Sequence, residues 1–431
     1  MLEKVNIVTY GCKLNQAESE VIGEKLSSLN YIVEYDKSTK SDILIINSCT
    51  VTSEAERKIR QLIRKTKREK PDTKVVVVGC YTHTDTKSLL KNGVDLILGN
   101  LEKKYIENYI DKNGVFVDLD YWHSKNEKIF LPQKPYNNYS RYFLPIEEGC
   151  LEFCTYCRII FARGNKIRSV SKDEIFKKID SLIKKGVKEF IITGINLTYY
   201  GYGTDYNLLN LIMNIEKKYQ SQKIRFRISS LYPDFINENI IQFLNESKIF
   251  EKHIHLSLQH VSTKVLENMG RKYNEKYLIN LFDMIFRIND IFSISSDIIV
   301  GFPGETNEDF EILLEFINKY PFSRVHAFRY SSRPNTKASK MPHQVSGEIK
   351  KARMKQLQQY IKNSNEQYLK KLINSGITPE ILIEKKDNQY SYGYDEYYIY
   401  HKILNNSINL NDFHKVKINK IENTGVISSV L

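Results

Sequence analysis

Cys150, Cys154 and Cys157 stand in the run Gly149-Cys150-Leu151-Glu152-Phe153-Cys154-Thr155-Tyr156-Cys157, with three and then two residues between successive thiols. Thiolates this close in sequence can hold three corners of one [4Fe–4S] cluster, because such clusters are bound by closely spaced cysteines. The fourth iron then lacks a protein ligand, and an open metal position is where a substrate or cofactor binds. The competing readings are structural zinc and a disulfide with one spare thiol. Zinc sites tend to come as two Cys-x-x-Cys-like pairs, so the spacing favours the cluster.

The other three cysteines, Cys12, Cys49 and Cys80, are dozens of residues apart, and only a fold can join them. Residues 6–9, 43–46 and 75–78 read as strands, with Leu96–Leu98 as a fourth. Residues 18–29 read as an amphipathic helix. A second helix runs from Ser53, its expected cap, to about Glu69, with Glu56 placed for a capping box. Short apolar runs alternating with helices imply a parallel sheet with crossovers. Each of the three cysteines then sits just past the C-terminal end of a strand, along the edge where open parallel sheets bind ligands. Three buried, inert thiols are the alternative, but their equivalent positions favour a second metal site.

A chain of 431 residues implies two or three domains. Its 41% hydrophobic and 27% charged content is that of a water-soluble globular protein. No run approaches the roughly 20 apolar residues of a membrane helix. The start, MLEKVNIVTYGC, lacks a basic-then-apolar signal sequence and runs into a strand. A cytoplasmic protein with no membrane partner is expected, in which cysteines serve as ligands or catalysts. The net charge of +13 suggests a polyanionic partner. The basic helix EAERKIRQLIRKTKREK is either a solvated face or a contact to nucleic-acid phosphates.

Residues 141–335 repeat strand-then-helix about six times, with strands at 142–146, 189–193, 224–229, 254–258, 296–300 and 325–330. Six such units are too few to close an eight-stranded barrel. Candidate functional residues follow the strand ends: Cys150, Thr193-Gly194-Ile195-Asn196, Ser229-Ser230, Gln259-His260 and Gly301-Phe302-Pro303-Gly304-Glu305. GFPGET lacks the GK[ST] ending of a phosphate loop, which argues against nucleoside triphosphate binding. Arg163 and Arg168 suit either a clamp on a carboxylate or phosphate or an ordinary ion pair. From residue 376 onward short β-type runs suggest a small barrel, in which six Lys and no Arg face seven acidic residues. Tyr390, Tyr392, Tyr394, Tyr397 and Tyr398 are candidates either for stacking on bases or for strand packing.

The Cys triplet with Tyr156 before its last member resembles the signature of the radical S-adenosylmethionine (SAM) superfamily. TYGCKLNQAESE, INSCTVTSEAERK and VVVVGCYT, followed by HLSLQ, SSDIIVGFPGET and FRYSSRPNTKASKM, resemble the radical SAM methylthiotransferases over nearly the whole chain. The resemblance implies an α/β protein: an N-terminal open parallel α/β domain at 1–118, a linker at 119–140, a central partial (βα)6 radical SAM barrel at 141–372 and a small TRAM-like β-barrel at 373–431.

It also implies two [4Fe–4S] clusters, one on Cys12, Cys49 and Cys80 and one on Cys150, Cys154 and Cys157. SAM would serve as methyl donor and radical source, with Tyr156, Thr193, Gly194, Asn196, Ser229, Gln259 and Gly301 as cofactor-binding positions. GCKLNQAESE and RISSLYP resemble the branch that inserts a methylthio group at C2 of N6-threonylcarbamoyladenosine, beside the tRNA anticodon. The partners implied are the tRNA anticodon stem-loop, an electron donor protein and a sulfur donor. Gln259-His260-Val261-Ser262 resembles instead the branch acting on a ribosomal-protein aspartate, and isopentenyladenosine in tRNA is the remaining substrate of the family. A non-catalytic iron–sulfur RNA-binding protein is the alternative from outside enzymology.

Overall fold

The computed structural model describes residues 2–36, 41–50, 52–118, 127–138, 140–404 and 408–431; within the expected linker, 119–126 and 139 lie outside the described residues. The chain forms two compact units, the first of Met1–Val187, Ile191–Asn207 and Arg333–Thr336, the second of Lys188–Phe190, Leu208–Ser332 and Lys337–Leu431.

In the first unit β1 (Lys4–Thr9) leads to α1 (Lys13–Ser28), followed by β2 (Ile32–Tyr35), β3 (Ile43–Ser48) and α2 (Ser53–Glu69). Next come β4 (Lys74–Gly79), α3 (Thr86–Lys91), β5 (Leu96–Leu98) and β6 (Gly114–Phe116). The strands form one parallel sheet in the order β2-β1-β3-β4-β5-β6. Side chains of a strand alternate between faces, and here both faces are covered. Val5, Ile7, Ile43, Ile45, Val76 and Val78 pack against Ile22 and Leu26 of α1. Leu44, Ile46, Val75 and Val77 pack against Ile59 and Ile63 of α2. This two-sided burial is why the strands read as continuous apolar runs.

Two elements of this sheet escape a reading of the sequence, β2 and β6. They are its edge strands, short and only partly buried, so they lack the apolar run that marks the centre. The start of α2 also differs from expectation. Thr52, not Ser53, is the cap, accepting the Ala55 N–H at 3.2 Å. Glu56 does not close a capping box there. Its carboxylate accepts from Thr50 Oγ1 at 2.9 Å and pairs with arginines.

The rest of the first unit carries β7 (Arg141–Pro145), β8 (Glu147–Glu148), α4 (Ile159–Arg163), β9 (Arg168–Ser169) and α5 (Lys172–Lys184). β8 and β9 pair antiparallel, Glu148 opposite Arg168. Strand β10 (Glu189–Thr193) begins in the second unit and ends in the first.

The second unit continues through α6 (Leu208–Tyr219), β11 (Arg225–Ile228), β12 (Ser230–Leu231), α7 (Glu238–Glu246) and β13 (His253–Gln259). It proceeds through α8 (Thr263–Met269), α9 (Glu275–Ile288), β14 (Ser293–Val300), α10 (Asn307–Lys319), β15 (Arg324–Arg329) and α11 (Gly347–Asn374). Strands β12-β13-β14-β15 are parallel neighbours in that order. The strand expected at 224–229 is broken at Ser229, where β11 gives way to β12.

Five further strands, β16 (Glu380–Lys386), β17 (Ser391–Tyr394), β18 (Tyr400–Ile403), β19 (Phe413–Glu422) and β20 (Gly425–Val430), close into a barrel in the order β16-β17-β18-β20-β19. Tyr368, Leu369 and Leu372 of α11 share a core with Tyr397, Ile399 and Ile418 of the barrel. The tyrosines serve packing to a visible degree: Tyr397 is buried, Tyr394 stacks on Tyr398 with centroids 4.5 Å apart, and Arg227 lies 3.4 Å above the Tyr398 ring. Among the described residues no helix is long and apolar enough to cross a membrane.

Candidate cluster-binding site

All six cysteines belong to the first unit, and among the described residues none is joined in a disulfide. Cys12 follows β1 and caps α1, Cys49 follows β3, and Cys80 follows β4 at the start of a 3₁₀ turn, Cys80–His83. Because β1, β3 and β4 are parallel neighbours, their C-terminal ends place the three loops on one edge. Two glycines make room. Gly11 has φ +135°, and a Cβ there would lie 3.2 Å from Cys49 Cβ. Gly79 has φ +95°, and a Cβ would lie 2.6 Å from Asn47 Oδ1. Only glycine adopts such backbone without strain.

Buried amides fix the edge further. Asn15 Nδ2 donates to Asn47 Oδ1 and to Ser48 O, both at 3.2 Å, and Asn15 Oδ1 accepts from Cys12 Sγ at 3.3 Å. Asn47 Nδ2 donates back to Asn15 O and to Ser19 Oγ, both at 2.9 Å. Cys80 is buried, with Arg163 Nε 3.4 Å and Asn100 Nδ2 4.0 Å from its sulfur.

The second trio lies on the loop after β8. Cys150 and Cys154 are buried and Cys157 is partly exposed. Cys157 N–H donates to Cys154 O at 3.0 Å, closing the turn that contains Tyr156, and Ile159 N–H reaches Cys157 Sγ at 3.4 Å. Burial pushes the Cys150 thiol up to about 11, against the opposing pull of the Glu152 backbone and the Asn196 amide. A metal that needs the thiolate would therefore displace a firmly held proton.

Thr193 ends β10 and its carbonyl accepts the Ile146 N–H at 2.9 Å. Gly194 has no room for a side chain, since a Cβ would lie 2.7 Å from Glu147 Oε2. The Asn196 N–H donates to that same oxygen at 2.7 Å, and Asn196 Nδ2 lies 3.7 Å from Cys150 Sγ. The other Glu147 oxygen, Oε1, is buried without a hydrogen-bond partner among the described residues. Burial raises this carboxyl well above its ordinary range.

A buried ion cluster ties the two trios together. Glu148 Oε1 accepts from Arg163 at 2.9 Å, and its Oε2 lies 3.4 Å from both Lys104 and Arg168. Burial alone would raise the Glu148 carboxyl, but Lys104, Arg163 and Arg168 hold it well below the usual range. Glu18, on α1, accepts from Arg163 NH2 at 2.7 Å and from Lys103 at 2.6 Å. Of the two expectations for Arg163 and Arg168 the ion pair holds, buried rather than at the surface: both pair with Glu148, Arg163 also with Glu18, and Arg168 donates to the Arg163 carbonyl. Glu18, Glu147, Glu148, Lys103 and Lys104 escape a reading of the sequence. The one available signal is Glu147-Glu148 itself, two charges directly after the apolar run Tyr142–Ile146.

Ser229, Gln259 and Gly301 belong to the second unit, each beyond a strand: Ser229 between β11 and β12, Gln259 ending β13 at φ +66°, and Gly301 after β14 at φ +74°. The GFPGET loop folds on its own acid. Gly301 and Phe302 N–H donate to Glu305 Oε2 at 2.6 and 3.0 Å, and Arg353 pairs with Oε1 at 2.7 Å. Amides committed in this way do not form a phosphate cradle.

Among the described residues no three His, Cys, Asp or Glu side chains converge tightly enough for a single ion. Cluster thiolates each sit on a different iron and stand wider apart. Two thiol trios with N–H donors on Cys80, Cys150 and Cys157 fit that donor chemistry, since hydrogen bonds to sulfur tune such clusters.

Residues 4–99 match the model of an uncharacterized protein family, UPF0004, and residues 144–317 match the radical SAM superfamily. The chain is 35% identical to the threonylcarbamoyladenosine tRNA methylthiotransferase MtaB of Thermotoga maritima, over 99% of this chain and 97% of that protein. This chain belongs to the radical SAM methylthiotransferase family. The enzyme of that name from Bacillus subtilis is 33% identical over 91% of this chain and 88% of its own. A tRNA-2-methylthio-N(6)-dimethylallyladenosine synthase of Fervidobacterium nodosum is 31% identical, covering 97% and 96%.

Among solved structures, the radical SAM methyltransferase TsrM from Kitasatospora setae, with cobalamin and a [4Fe–4S] cluster bound, aligns with a TM-score of 0.56 at 15% identity, covering 78% of this chain and 77% of that one. It shows the fold. As a radical SAM methylthiotransferase the protein is an enzyme that uses SAM and [4Fe–4S] clusters, which is the family and fold its cysteine motifs imply.

Proposed function

We propose that this methylthiotransferase inserts a methylthio group at C2 of N6-threonylcarbamoyladenosine beside the tRNA anticodon, acting in the cytoplasm with an electron donor protein and a sulfur source. The observation that carries this reading is the joining of both cysteine trios within one compact unit through Arg163, which reaches Cys80, Glu18 and Glu148. The names of the relatives support the substrate.

On this reading residues 1–118 carry Cys12, Cys49 and Cys80 as ligands of one cluster, and 141–372 carry Cys150, Cys154 and Cys157 as ligands of the other. Residues 373–431, the barrel, assist in holding the RNA. When bound, the clusters and SAM together supply one-electron cleavage of SAM and a methylated sulfur for transfer to carbon.

The chain's own residues do the positioning. Asn196 and Glu147 fix the loop beside Cys150, with Thr193, Gly194 and Tyr156 on the same unit as the loop that would face SAM. The Asn15–Asn47 pair fixes the edge that carries the first trio. The ion cluster of Glu18, Lys103, Glu148 and Arg163 fixes the interior beside Cys80 and the strand that leads into Cys150, and is largely shielded from water. Exclusion of water protects a radical reaction from side reactions.

The test is mass spectrometry of tRNA nucleosides from cells lacking this protein. Loss of the methylthio form of threonylcarbamoyladenosine is expected. Its persistence, with a mass change in a ribosomal protein or loss of the methylthio-isopentenyl nucleoside, would overturn the substrate. Absence of 5′-deoxyadenosine from reconstituted enzyme given SAM and a reductant would overturn the enzyme reading and leave an iron–sulfur RNA-binding protein.

A further inference from the structure

Glu56 is the centre of a second buried charge cluster in the first unit, and this one is unbalanced. Its Oε1 accepts from Thr50 Oγ1 at 2.9 Å, lies 3.4 Å from Arg158 NH1 and pairs closely with Arg333 NH2. Its Oε2 lies 3.9 Å from Arg60 NH1. Arg158 and Arg333 are 5% and 4% exposed, so both guanidiniums are out of water. Asp85 also bears on Arg158, but its carboxylate is engaged in capping α3 through the Ser88 N–H. Three guanidiniums thus face two carboxylates.

The hydrogen bonds tell the same story. Among the described residues Arg158 has only long hydrogen bonds, 3.4 Å to Glu56 and 3.4 Å to Thr84 O. The Nε atoms of both Arg158 and Arg333 are buried with no partner among the described residues. A buried unsatisfied donor on a charged group is costly and needs an explanation. An anion that arrives during function supplies one.

The place is also specific. Thr50 directly follows Cys49, Arg158 directly follows Cys157, and Thr84 lies on the turn that Cys80 begins. The cluster therefore adjoins loops of both cysteine trios.

We propose that Arg158 and Arg333 form a carboxylate-binding site, and that its ligand is the threonyl carboxylate of the substrate nucleoside. The inference rests on the substrate reading above and names its specificity determinant. Guanidinium recognises carboxylate through paired N–H donors. Of the substrate's anionic groups, the threonyl carboxylate is the one carried on the base itself, on a slender arm that can enter a buried site. Backbone phosphates cannot follow it there. C6, which bears the N6 substituent, and C2 flank the same ring nitrogen, N1, so gripping the substituent fixes where C2 lies. A neutral isopentenyl group in the same site would leave two buried cations unpaired, which rejects it. The one other carboxylate at hand is that of SAM.

The test uses reconstituted enzyme and three anticodon stem-loops, bearing threonylcarbamoyl-, isopentenyl- or unmodified adenosine. Binding, KM and kcat are measured alongside SAM affinity and iron content. Arg158→Gln should weaken binding of the threonylcarbamoyl stem-loop about tenfold to a hundredfold, raise its KM more than it lowers kcat, leave the unmodified stem-loop and SAM unchanged, and tighten binding of the isopentenyl stem-loop, which then meets one unpaired cation fewer. Arg158→Lys should recover part of the loss. Glu56→Gln, which removes a competing negative charge, should tighten the threonylcarbamoyl stem-loop and serves where the arginine variants do not fold.

An unchanged preference in Arg158→Gln, a loss confined to SAM binding, or weaker binding in Glu56→Gln would each overturn the proposal. Failure of the wild-type enzyme to act on the threonylcarbamoyl stem-loop would instead overturn the substrate reading on which it rests.

Discussion

Arg163 Nε stands 3.4 Å from Cys80 Sγ, so a side chain that follows the second cysteine trio donates to a sulfur of the first. The same guanidinium spends its other nitrogens on Glu148 and Glu18. It is completely buried, and removing it would strand two carboxylates in the interior. Arg163→Ala should cost about 3–5 kcal/mol, the range for breaking a buried ion pair. Urea denaturation of the reconstituted protein measures it. Arg163→Lys keeps a charge but loses the planar fork and the Nε donor. It should recover part of the stability and still shift the reduction potential of the first-trio cluster, read by EPR-monitored titration. A potential identical to wild type would show that the contact does not tune the cluster.

The proposed assignment of one cluster to each trio predicts separable losses. Replacing Cys12, Cys49 and Cys80 together by Ala should lower bound iron from about eight to about four per chain, with SAM cleavage retained and methylthio transfer lost. Replacing Cys150, Cys154 and Cys157 should give the same iron loss and abolish 5′-deoxyadenosine. Iron and nucleoside analyses of the two triple variants decide this. Loss of all iron in either variant would mean that the trios do not act independently.

The central strands, and the placement of Cys12, Cys49 and Cys80 just past three of them, were legible because their signals are local. Three apolar runs each end in a cysteine, and Cys150 to Cys157 carries its own spacing. The closed barrel was legible from short β runs divided by turns. What stayed hidden depends on long-range pairing. Glu18 and Arg163 meet across 145 positions, and neither residue alone looks different from a surface charge. Glu56 illustrates the limit best. Its place in the first turn of α2 fits a local capping role, and the local signal is outweighed by arginines at 158 and 333 that no window of sequence contains. β2 and β6 were missed for the opposite reason: as edge strands they have too little burial to leave a pattern.

Gly79 offers a test of how tightly the first-trio edge is built. Its φ of +95° is unfavourable for any other residue, and a Cβ would press to 2.6 Å from Asn47 Oδ1. Asn47 is the residue that binds Asn15 and Ser19. Gly79→Ala should therefore cost about 1–3 kcal/mol from backbone strain, together with a drop in first-trio iron as the Asn15–Asn47 pair is displaced. Gly186→Ala is the control for strain alone, since its φ is +83° but a Cβ there meets nothing within 4 Å. It should lose stability without losing iron. Equal iron in both variants would remove the link between this glycine and the cluster site.

His83 predicts a pH dependence. It is held in the turn after Cys80, and its Nε2 accepts the Asn100 N–H at 2.8 Å. Burial first, then the positive charges of Lys103 and Arg163, push its pKa from 6.5 down to about 4. The folded imidazole thus stays neutral where the unfolded one takes up a proton. The sign follows from linkage: between these values the unfolded chain binds more protons, so acid favours unfolding. The contribution is fully present above pH 6.5 and is lost as pH falls towards 4, on the order of 3 kcal/mol in all. Melting of wild type and His83→Gln across pH 4 to 7 measures it. The wild type should lose stability more steeply than the variant over this interval, and the two curves should run parallel above pH 7. Parallel curves throughout would mean that the imidazole is free to protonate in the folded protein, and that the Asn100 contact does not hold it neutral.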